Sequence, residues 1–344
     1  IPGCTIIRIK RPPLVKNIQP GFSWKKLVSD VYLYKTAKKL LKLQEFDLIH
    51  AGEEAVFMAR RLAKKHSIPY VYDMDSSLPQ QMCEKMPLLE RLLPRLKRFE
   101  QHAVEDSLGV LAVCKYLQDL AYSYSDKPII HLLEDVTLLN KETTAEKVKK
   151  TSLNLEKNTV TFMYVCNLQE YQGIDLLLEG FSLACLDNDI VRLVIIGGNS
   201  GHIRKYKSKA KSLGIPKGRV IFTGPKPVED LYYYLNQADV LVSPRSKGFN
   251  TPMKIYSYLD SGKVLLATRM LTHTQVLDDS ISYLVEPDGT SMATGIKKLA
   301  ADEQLRQELA DNALIRVEQE FTREAFERKL RDFYSQIKHS IENK

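Results

Sequence analysis

Short apolar runs recur along this chain, each followed by a stretch in which apolar residues return at helical spacing. "FDLIHA" (46–51), "IPYVYDMD" (68–75) and "LGVLAV" (108–113) mark the first half. "TVTFMYV" (159–165), "VRLVIIGG" (191–198), "RVIFTG" (219–224), "ADVLVSP" (238–244), "KVLLAT" (263–268) and "SYLVEP" (282–287) mark the second. A run with little polar alternation suits a strand buried on both faces, and a helix between successive runs supplies the crossover that parallel strands need. Between the two series lies a polar stretch free of aromatics, 140–158, which reads as a boundary. The expected fold class is therefore α/β, with two Rossmann-like doubly wound parallel-sheet domains facing across a cleft, where ligands of such sheets bind. The boundaries read as 1–145 for the first domain, 146–158 for a linker, 159–325 for the second domain and 326–344 for a last helix that packs back on the first. The opening "IPGCTIIRIKRPP" reads as a strand with nothing before it, so the first domain is expected to lack its start.

The helical stretches read as 23–43, a helix ending near 65, 86–106, 173–186, 201–213, 228–237, 252–260, 272–277, 290–300, 302–318 and 322–340, with Thr322 a good N-cap for the last. In the first of these, Ser23 is a candidate N-cap. Trp24, Leu27, Val28, Val31, Tyr34 and Leu41 form an apolar face, and Lys25, Lys26, Lys35, Lys38, Lys39 and Lys42 crowd the other positions.

Charge concentrates in the same place. The net charge is +8, yet residues 1–44 hold ten basic side chains and one acid, Asp30, which leaves 40 basic against 41 acidic residues in the rest. Such an arm could meet phosphates of nucleic acid, of lipid headgroups or of a substrate. The segment is one helix with an apolar face and carries no nucleic-acid motif, so nucleic acid is the least favoured partner. Five scattered cysteines without metal-ligand spacing argue for a reducing compartment and against structural zinc. No apolar run approaches the ~18 residues of a membrane span, and no signal-peptide pattern is present. The expected location is cytoplasmic, at most peripheral on the cytoplasmic membrane face.

Three segments can carry chemistry. In "SPRSKGFNTPMKIYSYLDSGKVLLAT" (243–268), a strand end leads through Arg245 to Thr251 and Pro252, which read as N-cap and first residue of a helix. The freed N–H groups of Met253 and Lys254, with Arg245 beside them, make an anion site. The turn Asn167–Gly173 after "TVTFMYV" opens at the same sheet edge. "IIGGNSG" (195–201) lacks the full spacing of a nicotinamide fingerprint. In the first half, His50 ends one strand, and Asp73 and Asp75 follow another, where each could orient an acceptor hydroxyl or act as a base. His273, just past "KVLLAT", is also placed to face the cleft.

These pieces resemble a known family. "YVCNLQEYQGIDLLLEGF", "VRLVIIGG", "VIFTGPKPVEDLYYYLNQADVLVSPR" and "PMKIYSYLDSGKVLLATRMLTHTQVL" occur in the order found in the family 4 glycosyltransferases, retaining enzymes of the GT-B fold, and "FDLIHAGEEAVFMARRLAKKHSIPYVYDMD" is similar to their first half. The resemblance implies transfer of a sugar from a nucleotide-diphosphate sugar to a glycan or glycolipid acceptor, with the donor held by the second domain and no metal or other cofactor required. It implies base recognition near Phe222, Thr223 and Gly224, and diphosphate near Asn167, Arg245 and Asn250–Lys254. Gln172 and Gly173 stand at the family's phosphate-binding turn and are expected to bind the donor too. His50, Asp73 and Asp75, read from their strand ends, are the expected catalytic residues on the acceptor side. The sequence departs from the family pattern at several of these places. Ser257 stands where a glutamate holds the donor ribose, Gln172 where a phosphate-binding lysine is common, Cys166 where glycine is common, and Phe249 where an acid begins the E-x7-E motif. A catalytically silent GT-B protein that binds a nucleotide or a partner enzyme is therefore the second reading, and a nucleotide-sugar epimerase a third.

Overall fold

The computed structural model describes residues 3–13, 15, 24–141, 151–156, 158–186 and 189–343. The candidate N-cap Ser23 and residues 146–150 and 157 of the linker lie outside these. The chain divides into two compact units, Ile1–Glu134 with Lys329–Lys344, and Asp135–Arg328.

The first unit holds a four-stranded sheet, β1 (Ile49–Gly52), β2 (Tyr70–Met74), β3 (Gly109–Ala112) and β4 (Ile129–Leu132), parallel throughout and in sequence order. Side chains alternate across it as a strand requires. Tyr70, Tyr72 and Met74 pack with Val110 and Ala112 toward helices α2 (Ala55–His66), α4 (Leu93–Glu105) and α5 (Lys115–Tyr124). Val71 and Leu111 point the other way and meet Phe333 and Ile337 from the last helix. Gly109 makes that approach possible, since a Cβ there would stand 2.7 Å from Ile337 Cδ1 and 2.8 Å from Phe333 Cζ.

Three features of this unit differ from the sequence reading. The helix expected over 86–106 is preceded by α3 (Leu78–Lys85) and opens with a 3-10 turn, Pro87–Leu92, before α4; each of the three pieces carries a proline at its first or second position. Proline has no N–H to continue a preceding helix but fits a first turn, so the three prolines punctuate what periodicity alone runs together. Helix α5 and strand β4 were not anticipated; β4 is short and only partly buried. The first helix, α1 (Trp24–Leu43), forms as expected, but its faces do not separate. Trp24, Leu27 and Val31 are more than half or about half exposed, in one stripe with Lys35, Lys39 and Lys42, and no residue of the helix is fully buried.

The second unit holds six parallel strands, β5 (Val160–Val165), β6 (Val191–Ile196), β7 (Val220–Gly224), β8 (Val240–Ser243), β9 (Val264–Thr268) and β10 (Tyr283–Val285), ordered β10-β9-β8-β5-β6-β7. Both faces are covered. Phe162, Tyr164, Leu193, Ile195, Val240 and Val242 enter one core with α6 (Ile174–Cys185) and α11 (Gly289–Ala301). Met163, Val194, Ile196 and Leu241 enter the other with α9 (Lys254–Asp260) and α12 (Glu303–Glu320). Helices α7 (Ser200–Ser212), α8 (Leu231–Leu235) and α10 (Leu271–Thr274) complete the crossovers. The last helix, α13 (Arg323–Glu342), begins in this unit with Thr322 Oγ1 accepting Ala325 N at 3.1 Å, and from Lys329 onward belongs to the first. Strand order reverses between β5 and β8, so the segments leaving those two strands diverge to opposite sides of the sheet and open a crevice at its carboxyl edge.

Candidate nucleotide-sugar site

The two segments at this switch point are the turn after β5, 166–173, and the segment after β8, 244–253. They are stitched together by their backbones. Ser246 N donates to Tyr171 O at 3.1 Å. Gly173, at φ +75°, passes so near the other segment that a Cβ would stand 1.7 Å from Pro244 O. The guanidinium of Arg245 lies over the Tyr171 ring, 5.1 Å from its centre, and donates to Lys247 O at 2.9 Å and Asn250 O at 3.2 Å. Arg245 thus organises its own loop while keeping its charge at the rim.

Beneath it lies a polar cluster built from residues the sequence treats separately. Lys254, the first residue of α9, donates from Nζ to Gln172 Oε1 at 3.1 Å and sits 4.3 Å from the centre of the Tyr164 ring. Gln172 is buried and turns its amide nitrogen to Cys166 Sγ at 3.6 Å. Burial lowers the Lys254 pKa to about 8, and nearby Arg245 adds to the fall. A desolvated ammonium at the switch point can hold an anion far more strongly than a solvated one, because little water competes for it.

A second network fixes the end of β8. His273 is fully buried between Ser243 and Thr268. Its Nδ1–H donates to Thr268 O at 2.8 Å, which leaves Nε2 to accept the Ser243 hydroxyl at 2.8 Å, and Thr268 Oγ1 donates to Arg245 O at 2.6 Å. Burial holds the imidazole pKa down at about 3. The sequence expectation that His273 faces a cleft is thereby corrected; it is a neutral strut for the segment that carries Arg245.

The other predicted residues fall as follows. Asn167 is exposed and caps its own turn through Oδ1 to Gln169 N at 3.1 Å. Phe222, Thr223 and Gly224 end β7, two strands along from β5, with Gly224 at φ +77° and its carbonyl accepting Gly197 N at 2.9 Å. The helix expected to start at Thr251 and Pro252 starts at Lys254, with Met253 as N-cap. Ile255 N bonds back to Pro252 O at 2.9 Å, so the proline opens a tight turn instead of the helix. Thr251 Oγ1 caps nothing: it is buried with no hydrogen-bond partner. Met253 is exposed. Ser257 is buried, and its Oγ accepts Leu138 N at 3.0 Å, tying down the 135–141 segment. Among the described residues no three His, Cys, Asp or Glu side chains gather where they could hold a metal ion.

In the first unit, His50, the second residue of β1, and Asp73, the fourth of β2, meet across the two strands, so His50 does not end its strand as the sequence suggests. His50 Nε2 stands 3.0 Å from Asp73 Oδ2, and its Nδ1 is hydrogen-bonded to the Tyr334 hydroxyl. Burial, with Asp73 nearby, raises the Tyr334 pKa, which keeps it a phenol. Asp75 is exposed one residue beyond β2. Tyr334 escaped the sequence reading because it comes from the last helix, 284 positions from His50.

A parallel sheet in sequence order and a second, doubly wound one with a basic, partly desolvated cluster at its switch point define an α/β protein of two Rossmann-like units. The chain belongs to the group 1 glycosyl transferases, whose family profile, "Glycosyl transferases group 1", matches residues 145–316. Among solved structures, sucrose-phosphate synthase from Thermosynechococcus elongatus superposes with a TM-score of 0.79 at 19% identity, over 97% of this chain and 83% of that one. Anabaena HepE in complex with UDP gives 0.74 at 15% identity over 91% and 83%. An α,α-trehalose-phosphate synthase (UDP-forming) from Burkholderia vietnamiensis gives 0.67 at 12% over 94% and 78%. At these identities the likeness is one of fold, and it is the GT-B fold. No curated protein matches in sequence.

Proposed function

We propose that the chain is a retaining glycosyltransferase of the family 4 type, which moves a sugar from a nucleotide-diphosphate sugar to a glycan or glycolipid acceptor in polysaccharide or glycolipid synthesis. The observation that carries the reading is the Lys254–Gln172 pair at the switch point of the second sheet, with Arg245 at its rim. In this reading the diphosphate lies against Lys254 and Arg245, the base toward Phe222–Gly224, and the leaving charge is met by those cations. His50, Asp73 and Asp75 serve the acceptor hydroxyl, with Tyr334 fixing the imidazole. The neighbouring HepE structures, in complex with UDP and with UDP-glucose, make UDP-sugars the first donors to test. The lysines of α1, in one stripe with Trp24, Leu27 and Val31, support a peripheral position on an anionic membrane face.

The test is turnover: UDP-, GDP- and ADP-sugars are offered with lipid-linked and soluble acceptors, and product anomers are read by NMR. Transfer with retained configuration is expected; inverted product would contradict the retaining mechanism. The second reading, a silent nucleotide-binding protein, draws on Ser257. Its hydroxyl is committed to Leu138 N where the family places a ribose-binding carboxylate. Nucleotide binding without turnover across the panel would select it.

A further inference from the structure

An open cavity of about 260 Å³ lies in the first unit, lined wholly by apolar side chains: Phe57 of α2, Leu78, Pro79 and Met82 of α3, and Leu96 and Phe99 of α4. Nothing in the site described above uses it. Its surroundings are unusual for a water-facing surface. Phe99 is 59% exposed and Leu88, on the 3-10 turn between α3 and α4, is 91% exposed, with Met86 and Leu92 also exposed beside it. Exposed apolar side chains on the same α3–α4 segment as an apolar cavity mark a binding surface more often than an accident of packing.

The charge around the patch identifies the occupant. Arg91, Arg95 and Arg98 are exposed and, among the described residues, enter no ion pair. Arg95 stands one helical turn before Phe99 on the same flank of α4, and Arg98 adjoins it. Lys97 adds a fourth cation over the 3-10 turn and α4, where, among the described residues, Glu90 is the one exposed acid. Hydrocarbon below and phosphate-binding guanidinium above is the chemistry of an anionic amphiphile.

We propose that the α3–α4 face binds a phosphate-bearing membrane lipid, its hydrocarbon chain in the Phe57–Phe99 cavity and its phosphate among Arg91, Arg95 and Arg98. This deepens the proposed function and rests on it: the acceptor served by His50, Asp73 and Asp75 is a lipid of this class. On this proposal insertion runs through the α3–α4 face and not through the α1 stripe.

The experiment uses the full chain and a local reporter. The sole tryptophan, Trp24, lies on α1. In a Trp24→Phe background, Leu88→Trp places the reporter on the exposed 3-10 turn, where folding is not at stake. Vesicles of one part phosphatidylglycerol to two parts phosphatidylcholine carry brominated acyl chains. The reporter should be quenched on these vesicles and not on phosphatidylcholine alone. Replacing Arg91, Arg95 and Arg98 with Gln should weaken vesicle binding by about a hundredfold, and Phe99→Ser should remove the quenching while circular dichroism stays native. Quenching of native Trp24 with the Leu88→Trp reporter unaffected would overturn the proposal and leave the α1 surface standing. Full vesicle binding by the triple arginine variant would also overturn it. Lipid binding without sugar transfer would leave the lipid site intact and refute the assigned activity instead.

Discussion

Lys254 Nζ lies 3.1 Å from Gln172 Oε1, a contact between residues 82 positions apart that joins the turn after β5 to the helix after β8. It places one half-buried cation beside Gln172 at the switch point. Because burial has lowered the Lys254 pKa to about 8, the free protein sheds this charge just above physiological pH. A bound diphosphate favours the ammonium and raises that pKa. Affinity for nucleoside diphosphate should therefore be flat below about pH 7.5 and fall above pH 8, by up to tenfold per unit. Lys254→Arg, charged throughout, should lose this alkaline limb. Binding isotherms across pH 6.5–9.5 check it.

The two units should respond to acid in opposite senses. Glu100 is fully buried in the first unit, accepting Ser77 Oγ at 2.8 Å and the Tyr124 hydroxyl at 3.0 Å, and burial raises its pKa from 4.5 to about 7. Its folded form holds the proton more tightly, so its contribution is greatest below pH 4.5 and declines as pH rises to 7, by roughly 3 kcal/mol. His273 in the second unit is the reverse. Its pKa falls from 6.5 to about 3, so its contribution is complete above pH 6.5 and is lost as pH drops toward 3, by a few kcal/mol. Hydrogen exchange read peptide by peptide should show the second unit opening first on acidification. Glu100→Gln should stabilise the first unit at pH 8 and flatten its profile between pH 4.5 and 7.

Much of the fold is legible in the sequence because parallel strands buried on both faces leave unbroken apolar runs. Every strand of the second unit lies within a run read from the sequence. Strand β4 was missed for the opposite reason: "IIHL" is short and mostly half-buried, and its partner Gly109–Ala112 carries the stronger signal. Prolines 79, 87 and 94 divide a region whose periodicity is nearly continuous, and Pro252 turns the chain before α9 can begin. The segments of the site were legible, but their contacts were not. Nothing local in "NLQEYQG" announces that Gln172 will meet Lys254, or in the last helix that Tyr334 will meet His50. The burial that makes His273 a strut is likewise a property of its neighbours, Ser243 and Thr268.

Gly173 offers a test of the stitching between the two segments. Alanine there would be strained at φ +75° and would drive its Cβ into Pro244 O. Gly173→Ala should cost about 2 kcal/mol or more of stability in the second unit. Nucleotide affinity should fall with it, while hydrogen exchange in β1–β4 is unchanged.

Tyr334→Phe removes a hydroxyl that holds His50 and leaves the ring packed on Phe333. If His50 serves the acceptor, kcat should fall about 10- to 100-fold, in the range of a lost positioning bond, with donor affinity unaltered. Asp73→Asn should act in the same direction, and combining the two should cost less than the product of the separate losses.

The central claim is that the second unit holds a nucleotide-sugar diphosphate against Lys254, and calorimetric titration with UDP and UDP-glucose at pH 7 tests it most directly. The wild-type chain should bind, and Lys254→Ala should weaken binding by roughly 1.5 to 3 kcal/mol, the worth of a charge-assisted bond, with the fold intact by circular dichroism. Equal affinity in the wild type and Lys254→Ala would contradict the claim, as would no binding of UDP, GDP or ADP sugars by the wild type.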